Sequence, residues 1–84
     1  WRCFMTYHTG TLGYNKQTQR FGLLIMDLWH IPGFHCGQKL EVRTSDGWIE
    51  TRMEMSHPLQ QWYLADTGLH GEQLEGLPAR VAES

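Results

Sequence analysis

The sequence predicts a mainly β protein: a small SH3-like antiparallel barrel of about five strands with one short helical turn before the last strand. Three observations lead there. Nine glycines break the 84 residues at short intervals, which leaves no long stretch for a sustained helix. The segments between them carry β-branched and aromatic residues in alternation rather than at helical spacing. The stretch 38–55 is two alternating halves around Asp46-Gly47, a dipeptide preferred in tight hairpin turns.

Taken in order, 11–14 and 20–26 read as strands joined by the polar loop 15–19, a hairpin. Gly13 and Gly22 fall inside them and suggest bulges or bends at barrel corners. Residues 27–37 read as an eleven-residue connection. The hairpin 38–55 follows, then a short strand 61–65 with Trp62 and Leu64 on one side and Tyr63 on the other. Leu74 and Leu77, three apart within 71–77, fit tight helical turns, and Pro78 permits a last extended piece, 79–82.

With Asp46-Gly47 as a two-residue type I′ loop, Arg43 faces Glu50, Glu41 faces Arg52 and Lys39 faces Glu54, while Leu40, Val42, Thr44, Ile49, Thr51 and Met53 share the other face. The apolar face decides the register. An exposed cross-strand pair contributes about 0.2–1 kcal/mol, whereas burying one large apolar side chain contributes roughly 1.5–3 kcal/mol.

Length allows one domain, read as 10–84 with residues 1–9 a peripheral segment. The longest apolar run, Leu23-Leu24-Ile25-Met26, is too short to cross a bilayer, and no membrane partner is expected. A net charge of -2 provides no long-range attraction for nucleic acid. Two cysteines, Cys3 and Cys36, are too few for a disulfide scaffold and lack metal or redox spacing, which suggests a reducing, cytoplasmic setting. The chain starts at Trp1, and no basic region leading into an apolar stretch marks a signal peptide.

The segments Gly10-Thr11-Leu12-Gly13-Tyr14-Asn15, Arg20-Phe21-Gly22-Leu23-Leu24, Asp27-Leu28-Trp29, Gly33-Phe34-His35-Cys36-Gly37, Thr51-Arg52-Met53-Glu54-Met55, Trp62-Tyr63-Leu64 and Leu74-Glu75-Gly76-Leu77 carry a resemblance. Over about residues 10–81 the chain resembles a family of small uncharacterised domains of Firmicutes, found in mobile-element surroundings. The resemblance implies a bacterial, mobile-element or phage setting and carries no activity, so it assigns no residue a role.

The residues offer several chemistries. His30, His35 and Cys36 form the one local group of metal-ligand types, but adjacent extended residues are poorly placed to share a tetrahedral ion, and neither metal nor cofactor is expected. The simpler reading makes Cys36 a small buried hydrophobe and His35 a polar loop cap. Cys36 with His30 or His57 could form a nucleophile and base, yet so short a barrel offers little room for a walled cleft, and an enzyme is not expected. Glu41, Glu50 and Glu54 each face a basic residue in the register above, which keeps them ionised and unsuited to general acid work.

The aromatics point elsewhere. Trp29, Phe34 and His35 in the 27–37 connection, with Trp48 and Tyr63, are candidate contacts for a protein partner. The competing reading has Leu28, Trp29 and Phe34 folding back to plug the barrel. Trp48 with Arg43 and Arg52 is the candidate surface for single-stranded DNA or RNA, weakened by Glu41 and Glu50 beside them. The expected function is a non-catalytic protein-binding module, with nucleic-acid binding and a homo-oligomeric structural role, such as a homodimer, as the alternatives.

Overall fold

The computed structural model describes residues 6–56 and 61–82. Seven strands form one antiparallel sheet: β1 (Tyr7–Asn15), β2 (Arg20–Ile25), β3 (Leu28–Ile31), β4 (Gln38–Thr44), β5 (Gly47–Ser56), β6 (Gln61–Leu64) and β7 (Pro78–Ala82), with a 3-10 turn at Gly71–Leu74. The order across the sheet is β3-β2-β1-β7-β4-β5-β6. Two three-stranded meanders therefore flank β7, which pairs with both β1 and β4.

The mainly β class and the single helical turn before the last strand hold; the five-stranded count does not. The connection expected over 27–37 contains β3. Its hairpin was hidden because Met26-Asp27 is not a recognisable turn pair, yet both residues have positive φ, 52° and 65°. That is the backbone of a type I′ turn built without glycine. At the other end, Tyr7, His8 and Thr9 are not peripheral, since they pair with Ala82, Val81 and Arg80.

The sheet is an open, curled half-barrel rather than a closed one, with β3 and β6 as its edges. Curvature carries β6 round to the β1–β2 loop, where the Trp62 indole N–H donates to the Gln19 carbonyl at 3.2 Å. The segment after β3 then crosses the concave side. Phe34 N–H donates to Phe21 O at 2.8 Å and Gly37 N–H to Met53 O at 2.7 Å, which ties β2 to β5. Phe34 (0% exposed) and Leu74 of the 3-10 turn fill the interior against Leu12, Leu23, Val42 and Met53. These two insertions cover the apolar face without a last ladder, and so the sheet need not close.

Gly13 and Gly22 sit opposite each other in the β1–β2 ladder. At Gly22 a Cβ would run into the Ile31 carbonyl, so glycine allows the chain after β3 to lie close on β2.

The 38–55 hairpin forms with a shifted register. Thr44 faces Gly47, Arg43 faces Trp48, Val42 faces Ile49, Glu41 faces Glu50, Leu40 faces Thr51 and Lys39 faces Arg52. Ser45-Asp46 is the loop, without positive φ, and Gly47 follows at φ 95°. A glycine in that conformation after a tight turn places the strands differently from type I′. The displacement from the expected pairing is two residues, one full side-chain period. Leu40, Val42, Thr51 and Met53 consequently still point inward, whereas the expected opposite-charge pairs are replaced by like charges facing each other.

Two of those charges, Glu41 and Arg52, find partners elsewhere. Arg80 on β7 lies opposite Glu41 and donates from Nε and Nη2 to its Oε1 at 3.2 and 2.8 Å. Arg52 lies 3.5 Å from Glu54 along its own strand. Among the described residues no helix is long and apolar enough to cross a membrane.

Candidate functional site

The convex face carries a stack built from four strands. The Arg80 guanidinium lies 3.9 Å from the Tyr7 ring centroid and 4.3 Å from that of Trp48. With Glu41 accepting both its hydrogen bonds, this cation is held on two faces and one edge. Trp48 is only partly exposed as a result, and the covering segment that decides this is β7.

The other expected site residues separate. Arg43 is exposed beside Trp48 and Arg52 is exposed beside Glu54, so the proposed basic strip is interleaved with carboxylates. Phe34 is core and presents nothing to a partner. His35 and Cys36 are exposed on the crossing segment, where Gln38 Oε1 accepts from the His35 N–H at 2.9 Å; Cys36 is therefore not the buried hydrophobe expected. The His30 ring lies against that of His8, centroids 4.3 Å apart and tilted by 38°, and no cluster of three metal-ligand side chains occurs among the described residues. His57 lies outside the described residues.

Trp29 (39% exposed) and Leu28 (73%) do not plug the interior; they lie on the edge strand β3. Tyr63 projects to the convex side of the other edge strand, β6, as expected.

One concave feature was not anticipated. Where β6 curls toward the β1–β2 hairpin, the seam leaves a groove of about 820 Å³ lined by Tyr14, Phe21, Trp62, Met55, Gln19, Gln61, Glu72 and Glu75, with Gly71. Each wall has its own anchor. The Tyr14 and Phe21 rings meet edge to face, centroids 5.4 Å apart at 70°. Trp62 is fixed by its bond to Gln19 O, and the Arg20 guanidinium lies 5.4 Å from its ring while donating to Phe34 O at 3.1 Å.

The floor is the 3-10 turn. It is attached to β6 through the bridge between His70 and Tyr63, and to β1 through Gly76 N–H donating to Leu12 O at 2.8 Å. Glu75 accepts from the Tyr14 N–H at 3.2 and 3.4 Å, which brings its carboxylate beside the tyrosine. Tyr14 is 41% exposed, and no lysine or arginine is among the described residues that line the groove. Sequence reasoning missed this site because its residues come from five separate segments. The available signal was aromatic residues at strand ends, Tyr14 and Phe21, flanking one polar loop.

Fold and groove together define a class: a small, all-antiparallel half-barrel with an aromatic, acidic groove at its open seam. The chain belongs to the family described as Domain of unknown function (DUF5348), whose profile matches residues 10–81. It is also similar to a protein from Ruminococcus gnavus of known crystal structure, a structural-genomics target, at 33% sequence identity and a TM-score of 0.68. That similarity covers 88% of this chain and 100% of the other. No curated protein matches the chain.

Proposed function

We propose that the protein is a non-catalytic interaction module that binds an extended segment of another protein in the groove between Tyr14 and Trp62. The observation that carries this reading is the partly exposed Tyr14 ring facing buried Trp62 across a preformed hollow. Aromatic walls with a few polar groups suit apolar side chains of an extended chain, which brings a low ordering cost when it is stiff. Gln19 and Gln61 at the walls offer donors and acceptors for its backbone. Nucleic acid has less support, because carboxylates accompany the candidate arginines.

The test is selection of random displayed peptides on the immobilised protein. Binders are expected to shift the Trp62 indole N–H resonance and to be lost with Tyr14→Ala, which gives up the Tyr14–Phe21 contact, about 0.5–1.5 kcal/mol, but stays folded. Peptides that bind equally to Tyr14→Ala would end the reading. A bacterial mobile-element accessory is the setting the family resemblance suggests, and the gene neighbourhood tests it.

A second reading has its own observation. The β3 edge exposes Leu28 and Trp29 with no lysine or proline to block pairing, which suits edge-to-edge association of two copies. Sedimentation at increasing concentration should then show a dimer that Trp29→Lys abolishes; a monomer throughout removes it.

A further inference from the structure

We infer that the segment bound in the groove carries a lysine or arginine beside its apolar residues, seated between Glu72 and Glu75. The inference rests on the groove reading above and deepens it. Its ground is charge complementarity. Among the described residues, the charged side chains that line the hollow are two carboxylates, Glu72 in the first turn of the 3-10 segment and Glu75 just after it, and both residues are exposed.

Glu75 is already oriented. Its oxygens accept from the Tyr14 N–H, which holds the carboxylate against the wall while its exposed side stays open to a second donor. Arg20, next to the groove's walls, is engaged with Phe34 O and lies 5.4 Å from the Trp62 ring. It is not among the lining residues, and it does not neutralise the two glutamates from within the groove.

A cationic side chain entering here meets two carboxylates and can lie over the edge of the Tyr14 ring, combining charge-assisted hydrogen bonding with aromatic contact. An acidic segment meets the reverse. It would bring a third negative charge next to two, with no lysine or arginine among the described lining residues, and the arrangement therefore selects against it as well as for its opposite.

The experiment uses the displayed-peptide binders, resynthesised with each Lys or Arg in turn replaced by Gln, against wild type, Glu72→Gln and Glu75→Gln. The Glu75→Gln amide oxygen can still accept from the Tyr14 N–H, so the wall is kept. The expected result is enrichment of Lys or Arg, roughly tenfold weaker binding on neutralising either partner, and affinity that falls with added salt. Should Glu75→Gln lower the melting temperature, Glu72→Gln and the salt dependence carry the same comparison.

Binders that depend on Tyr14 yet keep their affinity after Lys or Arg replacement, in Glu72→Gln and at high salt, overturn this inference and leave the groove reading intact. A library that yields no Tyr14-dependent binder overturns both.

Discussion

Replacing Met26-Asp27 with Asn-Gly should stabilise the protein. Met26 and Asp27 hold φ of 52° and 65°, a left-handed conformation that costs an L-residue about 1–2 kcal/mol and that aspartate tolerates better than methionine. Met26 is 90% exposed, so its truncation forfeits little packing. Against the relief stands the greater freedom of a new glycine in the unfolded chain, about 0.5–1 kcal/mol. The net expectation for the double substitution is a gain of about 1 kcal/mol, or roughly 4–8 °C in melting temperature for a domain of this size.

Thermal and urea unfolding monitored by circular dichroism measure it, with an unchanged m-value showing that compactness is the same. Gly47→Ala supplies the opposite sign. Nothing lies within 4 Å of the added Cβ and φ is 95°, so the loss, about 1 kcal/mol, is conformational alone. A double variant no more stable than wild type would refute the type I′ turn and with it the hairpin that makes β3 a strand.

Three further outcomes are expected. Phe34→Ala empties a fully buried site and should cost about 3–5 kcal/mol in urea unfolding, a large part of the stability of a domain this small; a loss under 1 kcal/mol would mean that Phe34 is not core. Trp48→Ala should lower stability by about 0.5–2 kcal/mol, and a double-mutant cycle with Arg80→Met should show coupling, because Trp48 acts through the stacked guanidinium; additive losses would contradict the stack. Trp62→Phe keeps an aromatic ring but removes part of the buried indole and its donor to Gln19 O, for an expected loss of about 1–3 kcal/mol together with faster amide exchange in the β1–β2 loop; unchanged exchange would show that the indole does not pin that loop.

The candidate site was legible only in part. Alternation puts Tyr63 on the side opposite Trp62 and Leu64, and there it lies, on the convex side. Trp29 and Phe34 share one connection in sequence but part company in the fold, one on an exposed edge and one in the core, because Trp29 lies in β3 and Phe34 in the segment that crosses the concave side after it. Tyr14, Trp62 and Glu75 meet only because the sheet curls, and no local pattern carries that information.

Alternation in 38–55 determined which face of the hairpin is greasy, since side chains in a strand repeat every two residues whatever the turn. It could not choose between registers two residues apart, as both bury the same set. That choice, the partner of each charge and the place of β7 between the two meanders were decided by tertiary structure. Local periodicity reports the orientation of a residue relative to its neighbours in the chain, whereas pairing across the sheet depends on residues far along the chain, such as Arg80 beside Glu41.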